Sequence, residues 1–112
     1  MIVKIAVKEP GKRWEIRKVE NTLSEYQKIV GGYIEHFYTH GDYAFFCNEN
    51  GKFMDLKFNF RFRDDFIMGT VFAARSDDEG ELITFDEKDE LYFEMLNRLR
   101  IPFPSWNMEA AI

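Results

Sequence analysis

The chain has 112 residues, 46% apolar and 17% aromatic with twelve phenylalanines, which excludes intrinsic disorder and fits one compact core burying about 65% of the unfolded surface. No run approaches the ~18 uninterrupted apolar residues of a membrane span, and charges break the N-terminal MIVKIAVKEPGKRW where a signal peptide would be apolar, so a cytoplasmic protein is expected. The net charge of −5 is unevenly spread: residues 76–94 hold nine acidic side chains against Lys88 alone, a local −8, while fourteen basic and eleven acidic residues elsewhere leave +3.

In IVKIAVK, Val3, Ile5 and Val7 share one face and lysines the other, which predicts a strand. Pro10-Gly11 punctuates a turn, and WEIRKVE follows as a hairpin partner with Trp14 and Ile16 on one face. Thr22-Leu23-Ser24-Glu25 matches a capping box, in which the threonine hydroxyl accepts from a first-turn amide and the glutamate reaches back. The helix it opens places Leu23, Tyr26, Ile29 and Val30 on one face and Glu25, Gln27 and Lys28 toward water.

YIEHFYT and YAFFCNE, joined by His40-Gly41-Asp42, read as a second hairpin, and Asn50-Gly51 favours a type I′ turn. From Met54 to Arg63 apolar and polar residues alternate, the pattern of a half-buried strand. FIMGTVFAA reads as one central strand with Gly69 at a bulge or close approach, and ARSDDEGELITF as a turn with a returning strand. Asp86 or Thr84 can cap a last helix with an apolar stripe of Leu91, Tyr92, Met95, Leu96 and Leu99, stopped by Pro102 and Pro104. The expected architecture is α+β: a mainly antiparallel sheet of about five to seven strands with two helices packed on it. Residues 1–100 form the domain and 101–112 a C-terminal tail, whose Phe103 and Trp106 are compatible with packing on the body and with a loose end.

Catalytic chemistry is not expected. Gly31-Gly32 follow a helix, whereas a phosphate site needs glycines before one, so they read as its C-cap. His36 and His40, with Asp42 beside them, would lie on one side of a strand but about 13 Å apart, too far for one metal ion. Cys47 sits in an apolar strand, unlike a reactive thiol, and its single copy allows no internal disulfide. The pairs Asp64-Asp65 and Asp77-Asp78 read as solvated turn residues. No cofactor is implied.

Two binding surfaces remain. Asp77, Asp78, Glu79, Glu81, Asp89 and Glu90 could imitate a phosphate backbone or steer a basic protein partner, against the plain reading of a solvated helix face. Alternatively Lys57, Asn59, Arg61 and Arg63, interleaved with phenylalanines, could bind nucleic acid, although strict alternation would turn rings and charges to opposite sides.

The motifs ENTLSEYQKIVGGYIE, CNENGK, the Asn59/Arg61 neighbourhood, and DDFIMGTVF followed by DDEGEL occur in an order that resembles a family of short bacterial and phage proteins known only as a domain of unknown function. The resemblance covers roughly residues 1–92 and implies an accessory protein of a phage, prophage or other mobile element, acting in the host bacterial cytoplasm. The family carries a proline-containing loop where this chain has LKFNFRF without proline, so residues 54–63 are a strand by alternation and a loop by resemblance. The functional expectation is a small non-enzymatic protein that binds a host protein through its acidic surface, such as a basic nucleic-acid-binding or defence protein that it would inhibit. A nucleic-acid-binding accessory protein using the Lys57–Arg63 strip is the alternative. Exposed strand edges would allow a homodimer.

Overall fold

Alternation in IVKIAVK produces strand β1 (Ile2–Lys8), which pairs antiparallel with β2 (Trp14–Glu20) across a turn where Gly11 has φ 77°. The computed structural model describes residues 1–104. Helix α1 (Leu23–Val30) starts at Thr22, whose hydroxyl accepts from the Glu25 amide at 3.3 Å. The other half of the predicted capping box does not form, because the Thr22 amide already donates to the Glu20 carbonyl at 2.9 Å. Tyr26 and Val30 are buried, while Leu23, expected on the same face, is exposed in the first turn. Gly31 closes the helix at φ 79°, donating to the Gln27 carbonyl, and so serves as the predicted C-cap.

β3 (Ile34–His40) and β4 (Tyr43–Asn48) form the expected hairpin, but an irregularity between His36 and Tyr38 adds one unpaired residue. Asn50-Gly51 does not make a type I′ turn: Asn50 has φ −111° and Gly51 opens a short 3₁₀ turn (Gly51–Phe53). Gly51 is small for another reason, since a Cβ there would meet the Met68 carbonyl at 2.8 Å.

The run from Met54 divides. Residues 54–57 are not strand, and β5 (Phe58–Phe62) pairs with β6 (Asp65–Met68) as a separate two-stranded sheet whose register shifts between Phe58 and Phe60. FIMGTVFAA is likewise two strands rather than one, because Gly69 at φ 86° turns the chain out of the hairpin and into β7 (Val71–Ser76) of the main sheet. β8 (Leu82–Ile83) returns beside β7, giving a six-stranded antiparallel sheet of order β2-β1-β7-β4-β3 with β8 on the end of β7.

This sheet is covered on both faces. Val3, Ile5, Val7, Phe72 and Ala74 meet Tyr26 and Val30 of α1, and Tyr26 stacks on Phe72 with ring centroids 4.7 Å apart. On the opposite face Ala6, Phe45, Val71 and Ala73 pack against Phe60, Phe62 and Ile67 of the hairpin and Phe93 and Leu96 of the last helix, α2 (Glu87–Leu99). Two-sided burial explains why β7 is apolar at successive positions.

α2 has a complete capping box between Asp86 and Asp89. Its inward line is Asp89, Phe93 and Leu96, not the expected leucine stripe; Tyr92 and Met95 are half-buried, and Leu91 and Leu99 are exposed. The shift follows from Asp89, which is 1% exposed and accepts from Tyr43 Oη at 2.6 Å, Arg75 Nη1 at 2.7 Å and the Asp86 amide at 2.8 Å. Thr84 is not a cap; its hydroxyl accepts from the Lys4 amide. After the helix, Trp14 Nε1 donates to the Pro102 carbonyl at 2.9 Å and Phe103 packs on Tyr38, Phe60 and Phe62, so residues 101–104 join the body. Trp106 lies outside the described residues.

Asp89→Ala leaves Tyr43 and Arg75 without their acceptor and is expected to cost about 3 kcal/mol, whereas Tyr43→Phe costs about 1 kcal/mol. Urea denaturation of the two variants measures both.

Candidate functional site

The acidic residues separate into three environments. Asp89 is interior and drops out of any partner surface, a correction that sequence charge counting could not anticipate. Glu90 is half-buried and ion-paired with Lys4 at 3.3 Å. Asp77, Asp78, Glu79 and Glu81 gather on the β7–β8 turn, where Asp77 Oδ1 accepts from the Glu79 and Glu81 amides and the other three carboxylates face water.

The Lys57–Arg63 strip is also divided. Lys57 borders a shallow cleft beside Lys28 and Gly31. Arg63, at φ 57° in the hairpin turn, swings its guanidinium over the Phe62 and Tyr38 rings at 5.0 and 5.6 Å. Asn59 is buried, donating to the Lys8 and Gly69 carbonyls at 2.8 Å and accepting from Lys8 Nζ at 2.7 Å. It is therefore a structural tie and not a contact residue. Arg61 stays exposed and its Nε donates to the Arg63 carbonyl.

Arg61 joins residues that the linear pattern does not connect. Lys8 and the β1–β2 turn, β5 and the C-terminal end of α2 enclose an open groove of about 460 Å³. It is lined by Lys8, Lys12, Arg13, Arg61 and Arg100 together with Trp14, Phe58 and Phe60, and none of its described lining residues is acidic. Arg100 reaches it from the left-handed C-cap of α2, at φ 58°. Lys8 is held by Asn59 and lies 5.7 Å from the Phe60 ring centroid; burial pulls its ammonium below the usual lysine range.

On the rim, Lys12 lies 3.8 Å from Glu9 and Arg13 lies 3.1 Å from Glu94. These pairs are exposed and worth at most about 1 kcal/mol each, so an incoming anion can replace them. Among the described residues no carboxylate lies within ion-pair distance of Lys8, Arg61 or Arg100. Even with Lys12 and Arg13 balanced by Glu9 and Glu94, the other three cations outweigh the carbonyl end of α2, which contributes about −0.5 charge. The groove fits an extended anion with an aromatic component. Lys12-Arg13 was a visible basic pair in the sequence, but its distance from Arg61 and Arg100 along the chain hid the cluster.

The other flagged residues do not converge. The extra residue at Phe37 puts His36 against Phe46 on one face and His40 beside Tyr38 on the other, so the two histidines do not share a side as strict alternation implies. Among the described residues no group of three His, Cys, Asp or Glu side chains could hold a metal ion. Asp65 is bound by Lys52, which holds its carboxyl below the usual range, and accepts from the Phe66 amide. The Gly31 and Gly32 amides both donate to the Gln27 carbonyl.

Fold and groove together define a small α+β protein with a cationic, aromatic-lined groove. The chain belongs to the family described as Domain of unknown function (DUF3846), whose model matches residues 3–97. No curated protein and no solved structure matches it.

Cys47 is buried, and burial, reinforced by Glu35, pushes its thiol up to about 12. Its alkylation by iodoacetamide at pH 8 should be about a hundredfold slower than in the urea-unfolded chain. Because the folded value is raised, the fold favours the neutral thiol: its contribution is complete below about pH 9 and is lost as pH rises toward 12, a decline that Cys47→Ala should reduce.

Proposed function

We propose that this chain is a small nucleic-acid-binding accessory protein whose basic groove holds the phosphate backbone. The observation that carries the reading is the grouping of Lys8, Lys12, Arg13, Arg61 and Arg100 around one groove with no acidic described lining residue, in a chain whose net charge is −5. Glu9 and Glu94 balance Lys12 and Arg13 at the rim, which leaves Lys8, Arg61 and Arg100 as a cluster of like charges that repel one another and favour an anionic ligand. Phosphate contacts from Arg and Lys give sequence-independent, salt-sensitive affinity, which suits an accessory role more than recognition of one sequence. The reading assigns no catalytic step. The resemblance to phage and mobile-element proteins adds the proposal that it works for such an element in a bacterial host.

A second reading keeps the acidic end. Asp78, Glu79 and Glu81 are exposed, and none is ion-paired within the described residues, which favours a basic protein partner at the β7–β8 turn. Such a partner could be a host defence protein that the turn would inhibit.

Fluorescence polarisation with a labelled oligonucleotide separates the two. The groove reading predicts binding at low salt with an affinity that falls as salt rises, and a slope smaller by about one for each groove cation removed in Arg61→Glu or Arg100→Glu. Each reversal should weaken binding about tenfold, while Asp78→Lys with Glu79→Lys leaves it equal or tighter. Absence of binding at 50 mM salt, or indifference to both arginine reversals, refutes the groove reading.

A further inference from the structure

We infer that the groove continues as a path for a single strand over the outward face of the β5–β6 hairpin, where Phe58 and Phe66 act as base-stacking platforms. The inference rests on the nucleic-acid reading above and adds which form of nucleic acid the protein takes.

An ordinary two-stranded hairpin resting on a core turns apolar residues inward and polar ones outward. This hairpin satisfies its inward side with Phe60, Phe62 and Ile67, all buried. Its outward side nevertheless carries Phe58, 51% exposed, and Phe66, 55% exposed, with ring centroids 5.9 Å apart. Both leave about half of their surface open to solvent, beyond the edge-to-face contact they make with each other.

The register explains how rings and charge come to the same side. Strict alternation from Phe58 would place Phe58, Phe60 and Phe62 on one face and Arg61 on the other. The shift at Asn59 breaks that pattern: Phe60 pairs with Ile67 inward, Arg61 pairs with Phe66 outward, and Phe58 opposite Met68 is left on the outward side. Arg61 thus stands across from one platform and lines the groove together with the other. The outward face therefore carries two rings in mutual contact with Arg61 beside them, directly opposite Phe66, and Phe58 lies inside a groove with four further cations.

That arrangement selects for a strand with unstacked bases. In a duplex the base faces are covered by neighbouring pairs, so an exposed phenylalanine reaches them only at the cost of unstacking a base step, and the groove meets chiefly phosphates and base edges. A single strand offers both, with phosphates for the cations and open faces for the rings. The two rings meet at 67°, so one base cannot lie flat on both, and each ring serves a different nucleotide.

The test compares a labelled oligothymidine, the duplex of equal length and poly-glutamate as a protein-like polyanion, using the full chain. Oligothymidine is expected to bind at least tenfold tighter than duplex at the same salt. Phe58→Ala and Phe66→Ala should each weaken it about tenfold with the salt slope unchanged, because a stacked base is lost and no phosphate contact is. Phe58→Tyr, which keeps the ring, should bind like the parent chain, and thermal melting confirms that the exposed substitutions leave the fold intact. Equal binding of strand and duplex with neutral alanine variants overturns the path and leaves the groove reading standing. Failure of both nucleic acids to bind overturns both, and preference for poly-glutamate assigns the groove to an acidic protein.

Discussion

The side chain of Asn59 ties the two sheets together. Its amide group donates to the carbonyl at the end of β1 and to the Gly69 carbonyl at the hinge between β6 and β7, and its oxygen accepts from Lys8 Nζ. Asn59 and its bond to the Gly69 carbonyl are buried and the bond to the Lys8 carbonyl is partly so, and leaving these carbonyls unsatisfied would cost about 1–3 kcal/mol each. Asn59 must therefore point inward next to Phe60, and two successive inward residues require an irregular register. From that one constraint follow the outward turn of Phe58, the placement of Arg61 over the groove and the anchoring of Lys8 within it. A single buried amide thus links the packing of the hairpin to the composition of the surface.

The second organising feature is the axis of α2. Its thirteen residues span about 20 Å, with Asp86 and Glu87 at the amino end and Arg98 and Arg100 at the carboxyl end. This polarity complements the helix macrodipole, which by itself accounts for some of the charge separation read from the sequence. It does not account for Lys8, Lys12, Arg13 and Arg61, which arrive from other elements at the basic end. Nor does it explain Asp89, whose carboxylate serves the interior by joining the Asp86 amide at the cap of α2 to Tyr43 and Arg75. Counting charges along the chain thus overstated the acidic surface and missed the basic one.

Much of the fold was legible because it depends on local chemistry. The strands β1 and β2, the helix opened by Thr22 and closed by Gly31, the hairpin at Gly41, the cap at Asp86 and the α+β class all follow from short-range patterns. The departures arise where a period-two pattern meets one extra residue. At Phe37 the extra residue separates His36 from His40, and at Asn59 it separates Phe58 from Phe60. Gly69 does mark a close approach, since a Cβ there would meet Leu56 Cδ1 at 2.7 Å, but its apolar flanks suggest one strand, whereas its positive φ sends the chain between two sheets. The groove was not legible, because residues from Lys8 to Arg100 meet only through tertiary packing.

Asn59 connects the packing of the hairpin to the proposed binding surface, and an amide-resolved titration tests that connection most directly. With the short oligothymidine added to isotopically labelled protein at low salt, the amides of Lys8, Arg13, Phe58, Arg61 and Arg100 should shift together, along one titration curve, with residues 77–81 unmoved. Shifts confined to residues 77–81, or a spectrum unchanged at saturating oligonucleotide, would contradict the account.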